Sequence, residues 1–282
     1  MSAYAISLIS VIGINVILAV SLNLISGFCG QISLGHAAFF GTGAYAAALV
    51  AIATGNAGLA LLAGAAAGCV AGVIVGFASL RVRSDFLVVT TIGVNFLFTG
   101  FVRKQGWLGG EMGISRIPPS GLGASGNMAL IVFFALATVA LSLYVNASWM
   151  GFAFRAVGED EDAASAMGIS APLYKLTAFG IGTAVAGLAG GLYTHFTQFI
   201  TPDAFDFQVS VMVMAMVVIG GMGSTWGVAS AAIILTLLPE AIRFVNDYRL
   251  AVFGALLVLV MRLAPGGLAM SVKTLWTRKA ES

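Results

Sequence analysis

The sequence predicts an all-α protein, a polytopic transmembrane helical bundle, and three observations predict it. The 282-residue chain is 60% hydrophobic and only 9% charged, with a mean hydropathy of +1.03. Soluble domains carry about 25% charged residues, so this chain cannot cover a water-facing surface. Apolar runs of spanning length recur along it, and glycine is abundant at 36 residues. Lipid removes the penalty for an apolar exterior, and glycine lets membrane helices approach closely.

A spanning helix needs about 20 mostly apolar residues. Candidate spans are Tyr4–Ile25, His36–Ala53, Leu59–Leu80, Phe86–Val102, Met128–Val145, Tyr174–Tyr193, Phe207–Gly221, Val228–Val245 and Leu250–Leu263. The second, seventh and ninth are short and read as half-helices, re-entrant segments or steeply packed helices. The expectation is roughly eight to ten membrane segments in one transmembrane domain, residues 1–282. The first run lacks a basic n-region and leads into further apolar runs, so it reads as a span rather than a signal peptide.

Gly64, Gly68, Gly72 and Gly76 recur every four residues, which places them on one helix face. Gly187 and Gly191 repeat the spacing, and Gly182, Ala186 and Gly190 do so on an adjacent face. These are packing surfaces, either within the chain or toward another subunit. Two glycine-rich breaks, SGFCG at 26–30 and GGMGS at 220–224, each follow an apolar helix. They read either as tight turns or as the paired broken helices that transporters use near a substrate path.

Basic residues sit between or at the ends of spans. Counting back from the C-terminus puts Arg81, Arg83, Arg155, Lys175, Arg262, Lys273, Arg278 and Lys279 on one side. Arg103, Lys104, Arg116, Arg243 and Arg249 fall on the other. The excess of basic residues on the first side predicts a cytoplasmic C-terminus. The net charge of +2 gives no sign of nucleic-acid binding. Cys29 and Cys69 lie in apolar surroundings without metal-ligand spacing and read as small buried hydrophobes.

The acidic stretch SWMGFAFRAVGEDEDAASAMGISAP, residues 148–172, is the longest connection on the cytoplasmic side of this topology. Glu159, Asp160, Glu161 and Asp162 suit the first turn of a helix, where the dipole favours negative charge. Alanines follow, then Gly168 for a left-handed position past the helix end and Pro172 for the start of the next helix. The expected element is a short helix outside the membrane, either a solvated connection or a docking element for a cytoplasmic partner.

Within apolar runs, Asn15, Asn23 and Asn95 must pair with another helix or face the pathway. Gln31, Ser33 and His36 cluster at the first break, where freed backbone groups suit a polar solute, and His36 reads either as a fixed hydrogen-bonding group or as a contact for that solute. His195 is expected at the outer end of its span, near Gln198, Asp203 and Asp206. With the 107–119 loop it forms either a plain solvated loop region or a contact surface for another protein. The chain has no G-x-x-x-x-G-K-[ST] phosphate loop and no obvious intramembrane acid. Energy then comes from another subunit, or the protein is a passive channel. No metal cluster or nucleophile–base pair suggests an enzyme.

SGFCGQISLGHAAFFGTGAYAAAL, residues 26–49, resembles the signature of the LivM-type permease of branched-chain amino acid ABC importers, above all in GQISLGHAAFFG. AVGEDEDAASAMGI at 156–169 resembles that family's coupling segment. KLTAFGIGTAVAGLAGGLY, VVIGGMGSTWGVASAA, LLPEAIR and RLAPGGL extend the resemblance over roughly residues 20–270. The family commonly carries arginine where Gly158 stands and an apolar residue where Asp162 stands.

The resemblance implies a permease subunit of an ATP-driven importer, itself non-catalytic, in a bacterial inner membrane. Its partners would be a second similar permease, two cytoplasmic ATP-binding subunits and a periplasmic binding protein. No cofactor would bind this chain, and ATP with magnesium would be hydrolysed by the partners. Coupling would involve Arg155, Glu159, Asp160, Glu161, Ala163, Ala164 and Gly168. The pathway would involve Asn23, Gln31, Ser33, His36 and Asn95. Leucine, isoleucine, valine and related amino acids are the implied substrates, with urea or short amides, or a passive channel or secondary carrier, as alternatives.

Overall fold

A computed structural model describes residues 2–80 and 84–241. Its regular structure is helical, with an isolated antiparallel bridge between Ile114 and Ile200. Ten α-helices follow in order: α1 Ala3–Leu22, α2 His36–Thr54, α3 Ala57–Ser79, α4 Ser84–Lys104, α5 Gly123–Ala147, α6 Trp149–Glu159, α7 Glu161–Ala166, α8 Ala171–Thr197, α9 Phe207–Gly220 and α10 Thr225–Ala241. A π-helical turn, Asn23–Phe28, extends α1.

Seven helices among the described residues are long and apolar enough to cross a bilayer, and Thr225–Leu238 is a shorter apolar helix. The expected count of eight to ten is therefore not reached in the described part. The expected span Leu250–Leu263 lies outside the described residues. So do Arg81, Arg83, Arg243, Arg249, Arg262, Lys273, Arg278, Lys279 and the RLAPGGL stretch.

Hydrogen bonds and close approaches fix the path of the chain. α1 starts beside Gly123, Asn127 and Gln198, and its π turn ends beside Gly158 and Lys175. The first end may be called the loop end and the second the acidic end. Residues 29–35 turn back into the bundle without helical structure, and α2 begins at the depth of Ser21, whose Oγ lies 2.8 Å from His36 Nε2. Non-helical backbone at this depth must be satisfied within the protein. Here Leu34 N–H donates to Thr91 Oγ1 at 3.1 Å, and Ala37 N–H donates to Ser210 Oγ at 2.9 Å. α2 is thus a helix that starts inside the bundle, as its shortness suggests.

α2, α3 and α8 pack through glycine. A Cβ on Gly64 would stand 2.9 Å from Gly43 O, one on Gly68 would stand 2.9 Å from Gly187 Cα, and one on Gly76 would stand 3.2 Å from Phe179 Cβ. The four-residue glycine ladder Gly64, Gly68, Gly72 and Gly76 therefore faces α8 and α2 of the same chain. Gly191 meets Leu61 and Ala47, and Gly190 meets Phe40 and Ala44. Large apolar side chains on α3, α4 and α5, among them Ile74, Leu97 and Leu136, are exposed, as a lipid-facing rim requires.

Candidate functional site

The acidic stretch forms two helices where one was expected. α6 turns Gly151, Ala153, Phe154 and Val157 inward, and these pack with Leu24, Phe28 and Cys29 of the first break. Asp160 then breaks from helical geometry and caps α7, accepting from Asp162 N at 2.9 Å and Ala163 N at 3.0 Å. Gly168 adopts φ +83°, and Pro172 stands in the first turn of α8. The acidic run is thus divided: Glu159 ends α6, Asp160 is the cap, and Glu161 and Asp162 open α7.

The expected coupling residues do not all face outward. Glu159, Asp160, Asp162, Ala163 and Gly168 are exposed. Ala164 is 1% exposed and packs inward, and Glu161 forms an ion pair with Lys175 of α8. Arg155 is exposed and donates to Asn146 Oδ1 at the end of α5, which ties α6 to that span. Exposed apolar side chains also mark this surface: Trp149, Phe152 and Met167. Their signal in the sequence was hidden, because apolar residues surround them.

The two glycine breaks meet. Asn23 Oδ1 accepts the Gly223 N–H at 2.9 Å, and a Cβ on Gly27 would stand 2.5 Å from Gly223 N. Gly221 and Gly223 take φ of +96° and +84°, which favours glycine in this turn. The first break also touches the hairpin, where a Cβ on Gly30 would stand 3.0 Å from Gly158 Cα. Gln31 Nε2 donates to the Lys175 carbonyl at 3.2 Å. Cys29, Gln31, Gly158, Glu159, Glu161 and Lys175 line a cavity of about 240 Å³ there.

Asn23, Gln31, Ser33, His36 and Asn95 are all buried within the chain. Asn95 Nδ2 donates to the Phe205 carbonyl at 3.5 Å, and Ser33 Oγ accepts from Gly35 N at 3.4 Å. Asn23 Nδ2, His36 Nδ1 and Asn95 Oδ1 have no hydrogen-bond partner among the described residues. Asn15 instead pairs across helices, its Nδ2 donating to Thr236 Oγ1 at 2.9 Å. No group of residues suited to hold a metal ion occurs among the described residues.

At the loop end, Arg103 pairs with Asp203 at 2.7 Å, and Asp206 caps α9 by accepting from Phe207 N at 2.8 Å. His195 is buried rather than presented at the surface, and Gln198 takes a left-handed φ of 56° at the end of α8. Trp107, Met112 and Phe199 are exposed there. Arg103, Lys104 and Arg116 belong to this end and Arg155 and Lys175 to the other, the same division of these five that the sequence count makes.

Comparison with known proteins agrees with this architecture. Residues 4–261 match the family model described as branched-chain amino acid transport system / permease component. The high-affinity branched-chain amino acid transport system permease protein LivM of Escherichia coli (strain K12) is 35% identical over 287 aligned residues, covering 90% of this chain and 67% of that protein. LivH of the same organism is 35% identical over 136 residues, 47% of this chain and 44% of LivH. A probable LivM of Methanocaldococcus jannaschii is 27% identical over 233 residues, 74% of this chain and 67% of that protein. No solved structure matches. The match of the family model over residues 4–261, with 35% identity to LivM over 90% of the chain, means that this chain belongs to the family of branched-chain amino acid transport permeases.

Proposed function

We propose that this chain is the membrane-spanning permease subunit of an ATP-driven importer and forms half of a translocation pathway for leucine, isoleucine, valine or related amino acids. One observation carries the reading beyond family membership. A capped, acidic hairpin projects at one end and touches the glycine break that interrupts the spans. Such a hairpin suits a partner that delivers mechanical work from outside the bilayer.

Two cytoplasmic ATP-binding subunits would bind the exposed part of the hairpin: Glu159, Asp160, Asp162, Ala163, Gly168 and Met167. A second homologous permease would complete the pathway, and a periplasmic binding protein would dock at the loop end beside Trp107 and Gln198. On this reading the acidic end and the C-terminus lie in the cytoplasm of a bacterial cell, and α10 is the eighth crossing. The unpartnered polar atoms of His36 and Asn95 support these two residues as groups that meet substrate when the breaks rearrange.

The test is reconstitution of the chain with two ATP-binding subunits, a second permease and a binding protein in proteoliposomes. ATP-dependent uptake of labelled leucine, isoleucine or valine is the expected result. Uptake of urea or acetamide instead would move the substrate to short amides. Full-rate flux through the chain alone, without ATP, would make it a passive channel and end the proposal. Reversing Glu159 and Asp162 to lysine should abolish ATP-driven uptake while leaving the chain in the membrane.

A further inference from the structure

We infer that Asn23 is a positioning residue for energy coupling, which fastens the second glycine break to the first so that movement of the acidic hairpin reaches α9 and α10. The inference rests on the permease reading above. Three contacts make a continuous path. At the hairpin, a Cβ on Gly158 would stand 3.1 Å from Cys29 C and 3.2 Å from Gly30 N. Backbone rests on backbone there, with no side chain between to absorb a displacement.

Within the first break, Gln31 N–H donates to the Ile25 carbonyl at 3.2 Å and Ser26 Oγ donates to the Gln31 carbonyl at 2.9 Å. The turn is closed on itself and moves as one piece. Beyond it, Asn23 Oδ1 holds the Gly223 N–H, and α9 and α10 enter and leave the turn that contains Gly223.

Two features suit Asn23 to a contact that is made and broken. It opens the π-helical turn Asn23–Phe28, a geometry frequent at functional sites. Its Nδ2 is fully buried and unpartnered among the described residues. An unmet buried donor carries its full desolvation penalty, so a rearrangement that gives Nδ2 a partner is favoured by that amount. Asn15, on the same helix, is the contrast: its amide simply bridges to Thr236.

The experiment measures solute imported per ATP hydrolysed by the complete reconstituted complex. Asn23→Ala is expected to retain hydrolysis stimulated by the binding protein while solute moved per ATP falls by about tenfold, a size usual for coupled sites. Asn23→Asp, which keeps the acceptor, should recover most of the ratio. Gly27→Ala should reproduce the defect, because its Cβ would overlap Asn23 Oδ1 and press on Gly223. Asn15→Ala should leave the ratio unchanged. An unchanged ratio in Asn23→Ala, or a proportionate loss of hydrolysis and transport, overturns the inference. Failure of all the Asn23 and Gly27 variants to assemble, with Asn15→Ala assembled, makes the role structural and overturns it too. Import by the unaltered complex without ATP would instead overturn the permease reading.

Discussion

Gly187 of α8 rests directly on Gly64 of α3: a Cβ on Gly64 would stand 3.0 Å from the Gly187 carbonyl oxygen. Gly43 of α2 and Gly68 of α3 close on the same residue, so three helices meet at one point without a side chain. Lipid tails are as apolar as the helices, and close packing of this kind is what drives helix association in a membrane.

Gly187→Ala should therefore lower stability by about 1–3 kcal/mol, the usual cost of overpacking. Gly93 on α4 has nothing within 4 Å of where its Cβ would be. Gly93→Ala should leave stability unchanged or raise it, because alanine is the better helix former. Thermal unfolding in detergent compares the two. Equal effects would mean that the α2–α3–α8 contact is not the tight one.

Asp160 gives α7 its start. With only six residues, this helix depends on its cap. Asp160→Ala should cost about 1 kcal/mol and Asp160→Asn much less, since asparagine caps equally well. Hydrogen exchange at the Asp162 and Ala163 amides reports it directly. Faster exchange in Asp160→Asn as well would show that charge, not capping, holds the turn.

The Arg103–Asp203 pair spans 100 residues of sequence yet is exposed on both sides, with side chains 47% and 76% accessible. A double-mutant cycle with alanine should give a coupling below about 1 kcal/mol, and raised salt should shrink it further. A larger value would point to burial of the pair by another subunit.

Burial pushes the Cys29 thiol from an ordinary 9.0 up to about 11, only partly offset by the hydrogen bond from Gln31 and by the charge of Lys175. The neutral form is favoured, so at pH 8 the folded chain should hold about a hundredth of the thiolate of a free cysteine. Maleimide should label Cys29 slowly in the folded protein and quickly after denaturation, with labelling of the folded form rising toward pH 11. Rapid labelling at pH 8 would show that the first break is open to water.

Much of this was legible in the residues. The starts of α2 at His36 and of α9 at Phe207, the left-handed Gly168 and the Pro172 helix start follow from local chemistry. The separate α6 was not, because the break between α6 and α7 falls at Asp160, inside one continuous acidic run. Nor was the inward turn of Ala164, the pairing of Glu161 with Lys175 or the burial of His195. Each depends on where a neighbouring helix lies, which no local window contains.

Membrane residence, the starts of several helices and kinship to the permeases were determined by the sequence alone, since hydropathy and turn chemistry add up over neighbouring residues. Only the tertiary structure decided that the two glycine breaks touch and that Gly158 sits against the first. Asn23 and Gly223 lie 200 residues apart, and their meeting depends on the path of every helix between them.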